Sequence, residues 1–303
     1  MRDASVSIPS AGTVRDLPEG THVIQPGVLW GVATGAAWGV ADFAGGLASR
    51  RAAPIAVTAG SQVIGLLALL VGLVVLGPAA PAPETLALGA LAGIGGGLGL
   101  AFLYQALSTG AMGLVSALSG AGAAVIPLLV TVMLGAELAL VAVAGVGCVM
   151  AAAVAATDIS RDAASRSALL LSLGAAVGFS TWYLIIDRAA EQNGLWALVA
   201  SRAAAVAVTV AIVAFTRARS NLPALRSVFP LIVAAGVLDV AANVFFVLAR
   251  DDISVALAAP LSGLYPLATM VLARVVLGER LPRLGLLSVM LAVAGIVLIS
   301  LGR

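Results

Sequence analysis

Lysine is absent from this chain: all sixteen basic residues are arginine, spread thinly from Arg2 to Arg303. Without lysine there is no Gly-x-x-x-x-Gly-Lys-[Ser/Thr] loop, so ATP hydrolysis through that phosphate cradle is excluded. Cysteine and histidine occur once each, Cys148 in an apolar run and His22 near the start. Neither a disulfide framework nor a clustered Cys/His metal site can be assembled from them, and no cofactor is expected. Cys148 reads as a small packing residue. Charge is scarce as well, at 10% of residues with a net +2, against roughly 25% in an ordinary soluble domain. Nucleic-acid binding needs a concentrated cationic surface, and this chain has none to offer.

What the sequence has instead is hydrophobicity: 61% of residues are apolar and the mean hydropathy is +1.13. Ten apolar stretches follow one another, near 27–48, 54–77, 84–107, 113–133, 138–157, 167–190, 194–216, 226–249, 253–277 and 282–301. Each is close to the roughly 20 residues that carry a helix across a bilayer. The chain therefore reads as an all-α membrane protein with ten transmembrane helices and no separate soluble domain. Residues 1–26, polar and broken by proline and glycine, read as a disordered tail. They lack the basic start and short apolar core of a signal peptide.

The second half echoes the first. Gly35-Ala36-Ala37-Trp38-Gly39 corresponds to Gly174-Ala175-Ala176-Val177-Gly178. Ala92-Gly93 and Phe102 match Ala235-Gly236 and Phe245, Leu118-Ser119-Gly120 matches Leu261-Ser262-Gly263, and Leu134-Gly135 matches Leu277-Gly278, these last at one constant offset. We divide the chain into a first five-helix repeat at 27–157, a linker at 158–166 and a second repeat at 167–303. A unit with an odd number of spans, duplicated in tandem, inserts its second copy upside down. The result is an inverted repeat suited to alternating access about a site at the interface of the halves.

The run Ala259-Pro260-Leu261-Ser262-Gly263-Leu264-Tyr265-Pro266, with Leu277-Gly278-Glu279-Arg280-Leu281 and Ala294-Gly295-Ile296-Val297-Leu298, resembles the C-terminal repeat of EamA-type members of the drug/metabolite transporter superfamily. The first repeat departs from that pattern, with Leu134-Gly135-Ala136-Glu137-Leu138 carrying an extra alanine and no arginine. The resemblance implies ten helices, a central cavity and the export or exchange of small metabolites, without naming a substrate. Physically, Gly278 to Pro282 reads as a helix stop, a polar turn and a helix start, so Glu279 is assigned a structural role.

Ionisable groups within spans are the strongest functional pointers, because a charge near the bilayer centre costs at least about 2.5–3.5 kcal/mol on insertion scales. Asp42, Arg202 and Asp239 qualify. Gly31, Gly35, Trp38 and Asp42 share one helical stripe, and Gly27, Gly31, Gly35 and Gly39 form an every-fourth series that admits a close neighbour. Asp42 reads either as a cavity carboxylate or as a group near the lipid headgroups. Asp239 shares a face with Asn243. Arg202 is the countercharge for either aspartate, and two roles stay open for it, a structural ion pair or a fork for a substrate anion. Trp38, Tyr104, Trp182 and Tyr265 are candidate cavity walls. Gln62, Gln105, Ser119, Ser262 and Thr269 are candidate neutral hydrogen-bonding groups. Ser262, Tyr265 and Thr269 lie on one face beside expected helix breaks at Pro260 and Pro266.

The function expected is secondary transport of a small organic metabolite, with Asp42 and then Asp239 as proton-coupling carboxylates. The other readings are a lipid-linked substrate flippase, an intramembrane enzyme and an assembly factor. His-Glu-x-x-His and Gly-x-Gly-Asp are both absent, which leaves the enzyme without a constellation. Expected partners are a small-molecule substrate and the lipid bilayer, with a homo-oligomer left open. The expected location is the cell membrane, plasma or inner. Five arginines on the side of the termini against nine on the other favour both termini outside.

Overall fold

The computed structural model describes residues 26–133, 139–159, 163–216, 222–252, 261–280 and 282–301. Residues 1–25 of the tail with His22, residues 253–260 of the expected ninth span with Pro260, and the Leu134–Leu138 motif lie outside the described residues. Among the described residues the secondary structure is helical throughout. In an apolar layer every backbone N–H and C=O must be paired within the segment, and an unbroken apolar run does that as a helix.

Helices α1 (Pro26–Ser49), α2 (Pro54–Leu76), α3 (Pro83–Thr109), α4 (Met112–Met133) and α5 (Leu140–Ile159) build the first half. Pro54 and Pro83 open their helices, where a missing N–H costs nothing. Gly77, at φ 53°, closes α2 in the left-handed conformation. The helical stretch Ala163–Phe215 is two helices, α6 and α7, that meet at Asn193. Asn193 is extended (φ −160°, ψ 94°), and its Oδ1 accepts the Trp196 N–H at 3.3 Å, which makes it the N-cap of α7. Then come α8 (Leu222–Asp252), α9 (Tyr265–Leu277) and α10 (Arg283–Leu301). Five of these segments are long and apolar enough to cross a bilayer: Pro54–Leu76, Pro83–Thr109, Arg166–Glu191, Asn193–Phe215 and Ala224–Arg250. The chain is a multi-span integral membrane protein.

Helix reaches into the stretch read as the 158–166 linker, since α5 runs to Ile159 and α6 starts at Ala163. Charged residues at span ends do not stop a helix, and Ala163-Ala164 is good helix-forming sequence. Around the expected ninth span, a turn at Gly263-Leu264 precedes α9, which then starts at Tyr265 with Pro266 in its first turn.

Packing is reciprocal between the halves. Helix α1 lies against α8 and α9, while α6 lies against α4, and the α6–α7 stretch packs along α3; α5 pairs with α10, and α4 with α9. Glycines set the closest approaches. A Cβ on Gly35 would sit 2.8 Å from the Leu261 carbonyl, and one on Gly39 would be 2.5 Å from the Tyr265 carbonyl. The every-fourth glycine series of α1 is thus the seat of α9 and the turn before it. Thr269 fastens that contact by donating its hydroxyl to the Gly39 carbonyl at 3.0 Å.

The uncharged α3–α4 turn is held from both sides. Arg50 donates to the Leu107 and Gly110 carbonyls at 3.4 and 3.3 Å. The Glu279 carboxylate accepts the Met112 N–H at 3.2 Å, at the first residue of α4. Glu279 therefore caps a helix from which it is remote in sequence. Gly278, at φ 64°, ends α9 so that the next residue can reach it.

Candidate substrate cavity

Where α1, α2, α3, α6, α7 and α8 converge, with α4, α9 and α10 completing the wall, the bundle holds a cavity of about 310 Å³. That is at the small end of the roughly 300–1,000 Å³ typical of small-molecule sites. Arg202, near the middle of α7, and Asp239, near the middle of α8, form its polar floor. Arg202 Nη2 lies 2.5 Å from Asp239 Oδ2, and its Nη1 donates to Gln62 Oε1 on α2. Arg202 is 8% exposed. Taking such a charge out of water costs several kcal/mol, which only a well-placed counterion and further hydrogen bonds offset. The roles left open for Arg202 are thereby narrowed: both ends of its fork are already engaged inside the protein.

Asp42 is different. It is 6% exposed and lines the same cavity, so it sits inside the bundle rather than among headgroups. It has no ion pair and no hydrogen bond among the described residues. Its charged neighbours are Asp239 and, through it, the Arg202 pair.

The rest of the wall is aromatic. The Trp38 ring lies 6.1–6.4 Å, centre to centre, from Trp182, Tyr183, Phe246 and Tyr265, mostly edge to face, the arrangement that ring quadrupoles favour. Trp182 is fixed by an Nε1–H bond of 3.1 Å to Ser201 Oγ. It also packs over Gly96, where a Cβ would come within 2.8 Å of the indole. The buried Tyr265 hydroxyl has no hydrogen-bond partner among the described residues.

Of the residues singled out from sequence, Trp38, Asp42, Gln62, Trp182, Arg202, Asp239, Asn243 and Tyr265 line this cavity. The others do not. Tyr104 is fully buried in a separate apolar cluster with Leu103 and Leu107, against Gly45. Gln105, its neighbour on α3, is on the exposed outer face, because consecutive helical residues point about 100° apart. Ser119 bonds back to the Val115 carbonyl at 2.9 Å. Ser262 is buried, and Thr269 is occupied by Gly39 and by Ser116, whose hydroxyl lies 3.4 Å away. Both sit where α9 and its preceding turn meet α1 rather than in the cavity wall. Sequence reasoning missed Phe179, Tyr183, Ser201 and Phe246, all of which line the cavity. Tyr183, beside Trp182, was the one with a readable signal, an aromatic hydroxyl in the middle of an apolar span.

The model of the EamA-like transporter family matches residues 25–157 and again residues 166–301. This chain belongs to the EamA-like transporter family. An EamA-like chain is a membrane transporter, not an enzyme, and secondary transport is the family's general activity. A solved crystal structure of a protein aligns with 91% of this EamA-like chain and 98% of its own length, with a TM-score of 0.63 and 19% identity. At that identity the likeness concerns the fold. No curated protein matches the chain in sequence.

Proposed function

We propose that the chain is a secondary carrier exporting or exchanging a small organic metabolite, by alternating access of two inverted five-helix repeats around the cavity. The observation that carries this reading is the cavity itself, lined by helices of both halves and holding a carboxylate with no cationic partner of its own among the described residues. Two matches to one family model, over 25–157 and 166–301, and the reciprocal packing of α1 on α9 and α6 on α4 support the duplication. Such an arrangement permits the halves to exchange conformations about a site near the midplane.

Asp42 carries the coupling proton in this scheme. Asp239 is committed to Arg202, so altering its charge breaks an ion pair, whereas Asp42 can gain or lose a proton without doing so. The test compares metabolites inside and outside cells for a deletion strain, an overproducer and an overproducer of Asp42→Asn. The expected result is a compound that accumulates inside the deletion and outside only the intact overproducer. Unchanged pools across growth conditions would overturn the exporter reading. Activity confined to lipid-attached headgroups would replace it with lipid flipping.

A further inference from the structure

We propose that the cavity selects a small organic monocation with a flat or aromatic apolar body, held by Asp42 and the Trp38-centred ring cluster. The inference rests on the carrier reading of the same cavity and deepens it to a substrate class. Three observations lead to it. First, the ionisable lining residues are Asp42, Asp239, Arg202 and the phenols Tyr183 and Tyr265. Because Arg202 pairs with Asp239, the ionised site carries one uncompensated negative charge, on Asp42. Second, the cation already present is committed within the protein, since Asp239 balances its charge and Gln62 takes its other terminal nitrogen. An incoming carboxylate would meet Asp42 and Asp239 with no free countercharge. Third, Trp38, Trp182, Tyr183, Phe246 and Tyr265 all line the cavity. Ring faces attract a cation, and most strongly when it has left water.

A neutral aromatic molecule would satisfy the rings but would require Asp42 to keep its proton, and so would make no use of the carboxylate's charge. A small hydrated metal cation would gain little from five rings. An organic ammonium satisfies both parts of the wall, and its apolar body fits a cavity of about 310 Å³. Proton and substrate then compete for one carboxylate.

The full chain, purified in lipid nanodiscs, should be titrated at neutral pH with 2-phenylethylammonium, benzyltrimethylammonium, 2-phenylethanol and 3-phenylpropanoate. Binding is read from tryptophan fluorescence in a background with Trp30 and Trp196 replaced by phenylalanine, which leaves Trp38 and Trp182 as the reporters. The two cations are expected to bind saturably and at least about ten-fold more tightly than the alcohol, a difference of about 1.4 kcal/mol, with the carboxylate weakest. Asp42→Asn should collapse the cation preference to less than about three-fold while leaving the alcohol's affinity in place, and Asp42→Glu should retain it. Thermal unfolding identifies any variant that has lost its fold, and the wild-type ranking tests the proposal without one. It is overturned if the alcohol or the carboxylate binds as tightly as the cations, if Asp42→Asn keeps the preference, or if the folded protein binds neither cation saturably. Proton-driven flux of a neutral or anionic solute would overturn the cation assignment and leave the carrier reading standing. Cation binding with no metabolite redistribution in cells would do the reverse.

Discussion

Gly93 of α3 lies against the backbone of Ser201 on α7, and Gly236 of α8 lies against the backbone of Ser61 on α2. One residue beyond each serine, α2 carries Gln62 and α7 carries Arg202; three beyond each glycine, α3 carries Gly96 and α8 carries Asp239. All four line the cavity. Equivalent positions thus share a packing device and differ in charge. Where the second half has an ion pair, the first has an amide that bonds to it and a glycine covered by the Trp182 indole. Backbone approach at the interface tolerates no side chain in either half, which keeps the glycines alike. Inside the cavity, by contrast, a single ion pair suffices to balance itself, and a second Arg–Asp pair would fill the space a ligand needs.

The largest effect should come from breaking that asymmetry. Asp239→Ala leaves Arg202 buried without its counterion, and stability is expected to fall by about 3–5 kcal/mol, measured by denaturation in detergent. Replacing both Arg202 and Asp239 by leucine should recover most of the loss, since two apolar groups need no partners. If the single and double replacements are equally unstable, the pair is not held together by charge.

An intermediate effect should test the shared packing. Gly93→Ala and Gly236→Ala each force a methyl group against a backbone carbonyl, from Ser201 or Ser61, and each is expected to cost about 1–3 kcal/mol. The loss should be the larger for Gly93→Ala, whose methyl group meets only Ser201 backbone and meets it more closely, whereas that of Gly236→Ala meets one backbone carbonyl and the Ile64 side chain, which can give way. A larger loss for Gly236→Ala would mean that backbone approach does not set the cost.

Much of the architecture was legible in the sequence because the bilayer imposes length and hydropathy together. The α3–α4 turn, charge-free as it is, was placed to within two residues, and the α1 glycine series marked the seat of α9. Depth and direction around a helix were less legible. Asp42, Arg202 and Asp239 stand out because a charge in an apolar run needs a reason. Phe179 and Phe246 do not, since an aromatic ring in a hydrophobic span suits lipid, core and cavity alike. Tyr104 and Gln105 show the same difficulty at neighbouring positions, one in the core and one on the outer face. The helix ends at Ile159 and Ala163 were not legible, because charged residues mark where the membrane ends, which is not where a helix ends.

The smallest stability effect should come from the residue with the largest effect on transport. Asp42→Asn keeps side-chain volume, breaks no ion pair and no hydrogen bond among the described residues, and removes a like charge from the neighbourhood of Asp239. Its unfolding free energy should be no lower than that of the parent chain, because the replacement removes a buried carboxylate that has no counterion among the described residues. Flux driven by a pH gradient in proteoliposomes should nonetheless be lost, while exchange of substrate for substrate is reduced only as far as binding is weakened. A substantial loss of stability would place Asp42 with Arg202 and Asp239 in the structural network. Pure pH-gradient flux at the parent rate would remove it from proton coupling. The pairing of an intact fold with a missing proton response is what separates a charge kept for work from a charge kept for structure, and in this cavity the two are distinguished by whether a partner is already in place.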